Sequence, residues 1–443
     1  MNVPTPYHQI KLSEAILEHR DKLEEFYSNS IISLTKPIFN ENAERAIERE
    51  FPFKEKTLKR IEGIACKKYI LKTDISRYYP TIYTHSIPWA MHGKRLSKDR
   101  QTDCSLLGNK LDKLIRNMQD GQTLGIPTGP DTSLIISEVI GTAIDKRLQE
   151  MVPNIKGFRY TDDIELYFDT LSEAENCLNK LHKIVREFEL ELNPHKTEII
   201  MLPEAIEPSW VPEIKLYDFR DSVEGERNDL ISFFSRAFEL AKLYPNDGVL
   251  KYSVQRIPSS IKDENWSILE SLLLSSITID STTLPIVRSI LFENELRELP
   301  LNKVRIVDTL EKIIKLNIEL GNDYEVLWSL SICKLLDLKV SEGISKLLNE
   351  YDNPFISIMT MNLYEKGFIN NLDLSLYQSH LNKNSLYGSN WIFSYEAIRK
   401  NWFHVSENYV EEDEFYSQLL EENVTFYDEL EWGSLVNIDP FDY

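Results

Sequence analysis

Two apolar stretches of this chain end in carboxylates, and no other feature restricts its fold as strongly. Tyr69-Ile70-Leu71-Lys72-Thr73 runs into Asp74, and Phe158-Arg159-Tyr160-Thr161 runs into Asp162-Asp163 before Ile164-Glu165-Leu166 resumes the pattern. Each stretch reads as a buried strand. A buried strand end is a poor place for a carboxylate unless something cationic neutralises it. Hard divalent cations such as Mg²⁺ prefer carboxylate oxygens. Two such ions, roughly 3.5–4 Å apart, can clamp the attacking and leaving oxygens of a phosphoryl transfer. The three aspartates therefore point to metal-dependent phosphoryl transfer, with a nucleotide polymerase as the first reading.

A net charge of −21 over 443 residues argues against a polyanionic partner until its distribution is examined. Residues 1–200 hold 29 Lys and Arg against 30 Asp and Glu, and the remainder holds 21 against 41. Between Lys54 and Arg100 the balance reverses to twelve basic residues against four acidic ones. A basic zone next to a carboxylate site suits a triphosphate or a nucleic-acid backbone. Cys66, Cys104, Cys177 and Cys333 lie far apart and form no Cys-x-x-Cys pair, so reduced thiols are expected rather than a zinc site. No apolar run reaches transmembrane length and the N-terminus has no signal-peptide pattern, so a cytoplasmic protein without a membrane partner is expected.

The chain is long enough for two or three cores. Leu12, Ile16, Leu23 and Phe26 predict helix over 11–50, and residues 68–75 predict a strand. A turn-rich loop at Gly125–Pro130 precedes a predicted helix running to about Met151, capped by Asp131 or Thr132. Residues 157–168 read as a hairpin, 171–190 as an amphipathic helix, and Thr197–Met201 as another strand. From about residue 227, Leu- and Ile-rich helical segments follow one another with short polar breaks, which suggests an irregular helical stack. The acidic, aromatic-rich end reads as a partly ordered tail.

Four motifs in order then resemble those of reverse transcriptases. Asp74-Ile75-Ser76-Arg77-Tyr78-Tyr79 through Ser86, with Ile87-Pro88-Trp89-Ala90 behind it, is similar to motif A. Gly125-Ile126-Pro127-Thr128-Gly129-Pro130 is similar to motif B. Tyr160-Thr161-Asp162-Asp163 resembles the Tyr-x-Asp-Asp of motif C, and Leu192-Asn193-Pro194-His195-Lys196-Thr197-Glu198 resembles motif D. The Ile-Tyr-Thr-His-Ser-Ile-Pro-Trp-Ala run and the Gly-Pro-Asp-Thr-Ser continuation are most similar to the bacterial enzymes of phage defence, the abortive-infection and unknown-group lineages. The similarity covers roughly residues 50–200.

The resemblance implies an α+β fold with a right-hand polymerase palm and fingers, followed by an all-α, HEAT-like C-terminal domain. It implies an N-terminal helix and fingers over 1–72, a palm over 73–225, a helical domain over 226–410 and an acidic tail over 411–443. It makes Asp74, Asp162 and Asp163 metal ligands for two Mg²⁺ ions, with Mn²⁺ as a substitute, and the Ile75 carbonyl completes the shell. Tyr79 becomes the aromatic gate that excludes a 2′-hydroxyl. Gly129 allows close backbone approach, and Thr128 stands where many relatives carry Gln. Lys196 stabilises the leaving pyrophosphate, and Arg77 is a further triphosphate candidate. For the fingers, Lys54, Lys56, Lys59 and Arg60 are the phosphate-contact candidates. The implied partners are dNTPs, an RNA template or noncoding RNA, the DNA product, and further copies of the chain.

Two rivals remain at this level. One is template-independent DNA synthesis, primed from a tyrosine such as Tyr351, Tyr364, Tyr377, Tyr387, Tyr395 or Tyr409. The other is a non-catalytic nucleic-acid-binding module. His85 reads as structural, bonded near Thr84, and Trp89 as core.

Overall fold

The computed structural model describes residues 3–40, 42 and 45–429. The chain divides at Glu207/Pro208 into two compact units. Segment 208–225, which the sequence groups with the palm, falls in the second unit.

The first unit opens with helices Pro6–Glu18 and Arg20–Tyr27. Pro6 occupies the first turn and the Thr5 hydroxyl accepts the His8 N–H, a standard N-terminal stop. The predicted helix over 11–50 is wrong beyond Tyr27. Pro37 cannot sit inside a helix and disfavours helical geometry at Lys36. There the chain forms a two-stranded hairpin, β1 (Pro37–Phe39) and β2 (Ile47–Arg49).

The main sheet contains β3 (Tyr69–Asp74), β4 (Gly157–Tyr160), β5 (Asp163–Phe168) and β6 (Glu198–Met201), antiparallel in the order β4-β5-β3-β6. Both faces are covered. Leu71, Ile75, Ile164 and Leu166 pack with Ile135, Val139, Leu181 and Val185 from helices Asp131–Met151 and Leu171–Glu187. Ile70, Phe158, Tyr160 and Tyr167 form a smaller cluster on the opposite side with Phe51, Phe53 and Ile64. Burial on both faces accounts for strands that read as nearly continuous apolar runs. The register sets Asp74 directly opposite Asp163, with Asp162 in the turn beside them.

In the second unit, every regular element of the described residues is helical. Lys303–Leu320 packs on Asp323–Leu335, which packs on Pro354–Glu365, which packs on Trp391–Arg399. One apolar cluster runs through them from Trp210 to Tyr427. The predicted tail begins inside this core, since Val410, Tyr416 and Tyr427 are buried and Tyr416–Glu421 is a helix. Its last part, residues 430–443, lies outside the described residues. No helix among the described residues is long and apolar enough to cross a membrane.

Candidate active site

The sheet register gathers the predicted carboxylates at one strand end. Asp74 is 6 % exposed, and its Oδ1 is buried without a hydrogen-bond partner. Its Oδ2 accepts from Lys196 Nζ at 2.9 Å. Across the ladder, Asp163 Oδ2 accepts from Lys56 Nζ at 2.6 Å. The Ile75 N–H donates to the Asp162 carbonyl at 3.1 Å and ties the two strand ends together. Burial, then the neighbouring Asp163 and Asp74 carboxylates, push Asp162 up to about 6. Lys196 is shifted up by its hydrogen bond to Asp74 and by the charge of all three aspartates.

This donor set is short of positive charge, and the shortage fits a divalent cation. An orphaned buried carboxylate oxygen and a carboxylate pushed towards its neutral form are what low-dielectric crowding produces when a counter-ion is missing. The described residues hold no acidic group of three or more already closed into a metal cage. Lys196 and Lys56 each hold one oxygen of the carboxylates that would have to close it.

The residues expected on the nucleotide side lie on the segment after Asp74 and on the loop bonded to it. Tyr79 is partly buried, and its hydroxyl lies 3.1 Å from Ser137 Oγ on helix Asp131–Met151. Burial, with the charges of Asp162 and Glu138, holds the Tyr79 hydroxyl above its ordinary value, against the pull of Ser137 and Arg49. The Gly125–Pro130 loop is stitched to the segment after Asp74 by Ile126 N–H to the Tyr79 carbonyl and Gly125 N–H to the Ile82 carbonyl. Thr128 and Gly129 are exposed on that loop, and Gly129 has φ +121, a conformation open to glycine and strained for other residues. Arg77 is exposed with φ +47 at the start of the short helix Tyr78–Thr81.

The four basic candidates before β3 divide. Lys56 reaches Asp163, Arg60 is held by Glu165 and the Ile206 carbonyl, Lys59 bonds Glu62, and Lys54 is exposed. Sequence reasoning missed the hairpin arginines. Arg49 lies over the Tyr160 ring at 5.6 Å, and Arg45 bonds Asp131 and the Gly129 carbonyl. His85 bonds Asp112 at 2.8 Å, 27 residues away, rather than a neighbour of Thr84.

Residues 11–229 match the family model of reverse transcriptase (RNA-dependent DNA polymerase). They form a reverse transcriptase domain. Domains of this family are nucleotidyltransferases that use divalent metal ions, typically Mg²⁺. Among solved structures, the chain is similar to apo telomerase from Candida tropicalis, at 11 % identity and a TM-score of 0.33, over 80 % of this chain and 59 % of that one. It is also similar to telomerase from Candida albicans in complex with a fragment of telomeric RNA, at 13 % identity and a TM-score of 0.26, over 81 % of this chain and 54 % of that one. The chain thus spans little more than half the length of either telomerase. No match is found among curated proteins.

Proposed function

We propose that this protein is an RNA-directed DNA polymerase acting in bacterial phage defence. The observation that carries the polymerase reading is the buried, unpartnered Asp74 Oδ1 on a strand end whose register sets Asp74 opposite Asp163, next to Asp162, inside a reverse transcriptase domain. The reaction forms a bond between a primer 3′-oxygen and the α-phosphorus of a dNTP and breaks the bond to the pyrophosphate leaving group. Bound Mg²⁺ would lower the hydroxyl pKa and neutralise charge on the transferring phosphoryl group. Asp74, Asp162 and Asp163 would hold the ions. Lys196, released from Asp74, would offer a proton or a positive charge to the leaving oxygen. Arg49, over the Tyr160 ring, and Arg45, bonded to the Gly129 carbonyl, would meet the triphosphate, and the Tyr79 ring, fixed through Ser137, would press on the sugar at C2′. In the family's terms the four-stranded sheet is the palm, the hairpin belongs to the fingers, and the stacked helices form a HEAT-like domain.

The test is incorporation of labelled dNTPs on a primed RNA template with Mg²⁺. Asp74→Ala and Asp162→Ala should each lose activity by at least about a thousandfold while keeping the wild-type Tm within a few degrees. Synthesis retained in either variant removes the assignment. The defence role is supported by the motif resemblance alone. Expression of wild type should protect bacteria from phage, and equal protection by Asp162→Ala would separate protection from polymerisation.

For a second reading, untemplated synthesis primed from a tyrosine, the structure narrows the candidate residues. Tyr377, Tyr395 and Tyr409 are buried and hydrogen-bonded, and Tyr351 and Tyr387 bond Asp323 and Asp413. Tyr364 is 36 % exposed, and its hydroxyl has no acceptor among the described residues. DNA attached to wild-type protein but absent from Tyr364→Phe would establish that route. RNase-sensitive synthesis with no attached DNA would exclude it.

A further inference from the structure

Both backbone groups of Thr161, the residue before Asp162, are held by buried side chains. Its N–H donates to Thr35 Oγ1 at 3.1 Å, and its carbonyl accepts from Arg159 Nη1 at 3.0 Å. Thr161 has φ +57, a strained conformation for a β-branched residue that persists only where its surroundings impose it.

The surroundings are a charge network without solvent. Arg159 is 0 % exposed. Its Nε lies 3.0 Å from each Asp145 oxygen, and Nη2 donates to Glu138 Oε1 at 2.7 Å. Glu138 Oε2 accepts from Arg159 Nη1 at 3.1 Å and from Thr35 Oγ1 at 3.2 Å. Ser30 Oγ donates to Asp145 Oδ2 at 2.6 Å. The guanidinium fills the space left by Gly141, where a Cβ would stand 2.5 Å from Arg159 Cζ. One buried arginine between two buried carboxylates leaves a net negative charge. Well-packed apolar side chains are commonly as stable as such a cluster or more so. What the network supplies is direction, since each of its hydrogen bonds fixes an angle as well as a distance.

We propose that Arg159, Glu138 and Thr35 form a positioning clamp. Through Thr161 it fixes where the Asp162 carboxylate stands relative to Asp74, and so sets the affinity of the site for its divalent metal. This inference rests on the metal-dependent reading of the three aspartates. All three clamp residues are buried, and their bonds run to the Thr161 backbone and to one another. They act on Asp162 through the backbone.

The test uses Thr35→Val, which keeps the volume and removes the hydroxyl, and Thr35→Ser, which restores it. Gly141→Ala is the second probe, because it displaces the guanidinium without removing any polar group. Mn²⁺ binding is read by electron paramagnetic resonance of the free ion, alongside the Mg²⁺ dependence of incorporation and the metal-free Tm. Supporting partners of metal ligands commonly contribute ten- to a hundredfold to metal affinity. Thr35→Val and Gly141→Ala should therefore weaken Mn²⁺ binding by about tenfold and raise the half-saturating Mg²⁺ concentration to match. Activity at saturating metal should fall less, and Thr35→Ser should recover wild-type binding. If Thr35→Val does not fold, Gly141→Ala carries the same expectation. Lowered Tm with unchanged Mn²⁺ affinity would make the network purely structural and overturn the proposal. Asp74→Ala serves as the control. If it leaves Mn²⁺ binding intact, the metal reading itself fails. If it abolishes binding while the clamp variants do not, the clamp alone fails.

Discussion

Lys196 Nζ lies 2.9 Å from Asp74 Oδ2, while the other oxygen of the same carboxylate is buried with no partner. The lysine side chain is 61 % exposed, so moving it away from Asp74 takes little desolvated packing with it. On the proposed mechanism it would compete with a metal for Asp74 and, once displaced, would be available to the leaving group. Lys196→Ala should separate these roles. The half-saturating Mg²⁺ concentration should fall, and the rate at saturating Mg²⁺ should drop by about a hundredfold or more. A rate drop with a raised Mg²⁺ requirement would mean that the lysine supports the metal site instead of competing for it.

Tyr79 is anchored through its hydroxyl to Ser137, 3.1 Å away, and through its carbonyl to Ile126. The ring, not the hydroxyl, is the group that would meet a 2′-oxygen. Tyr79→Ala should reduce discrimination between dNTPs and NTPs by about 10- to 100-fold, the range that steric rejection of one hydroxyl supplies. Tyr79→Phe keeps the ring and should retain most of the discrimination. Equal losses in both variants would place selectivity elsewhere.

The strand ends were legible because their signal is chemical as well as periodic. An aspartate closing an apolar run conflicts with burial, and only a few functions resolve that conflict. The helical half was legible from its Leu and Ile spacing. The hairpin β1–β2 was not, because three-residue strands are too short to show a period and they follow directly on a helical pattern. Arg45 and Arg49 were hidden with it. The clamp left a fainter trace, Arg159 and Glu138 as single charges inside apolar runs. Such a charge implies a buried partner, but its identity depends on tertiary contacts between residues 21 positions apart. Which oxygens Lys56 and Arg60 would choose was equally invisible, since only the fold turns their helix, Glu55–Ile64, onto β5.

Asp162 illustrates a conflict between stability and function. Its pKa is raised from 3.8 to about 6. For a carboxylate this sign means that the folded protein is penalised above about pH 6, where the group must be charged, and is relieved as pH falls towards 4. Two units correspond to a ceiling of about 3 kcal/mol. Asp162→Asn should therefore raise the Tm of metal-free protein at pH 7.5 by several degrees. The gain should vanish near pH 4 and shrink with added Mg²⁺, while polymerisation is lost. A destabilised Asn variant would show that the carboxylate is satisfied in a way this geometry does not contain.

Lys334 offers the opposite titration, away from the catalytic centre. Its ammonium donates to the Tyr427 hydroxyl at 2.7 Å, and burial together with Lys366, Lys400 and Arg288 lowers its pKa from 10.5 to about 8, against the pull of Glu429. A lysine whose pKa falls on folding destabilises the protein wherever both states are protonated. That penalty is complete below about pH 8 and disappears as pH rises towards 10.5. Lys334 is partly exposed, so solvent screening reduces the effect to about 1 kcal/mol, or roughly 2–4 °C in Tm. Lys334→Gln keeps a donor for Tyr427 and removes the charge. It should melt above wild type at pH 7.5 and at the same temperature by pH 10. The readout is the difference between the two proteins at each pH, in which tyrosine and other shared titrations cancel. A difference that does not change with pH would mean that Lys334 acts through packing, with its charge already neutralised by Glu429, which Lys366 and Lys400 also hold at 3.2 and 3.0 Å.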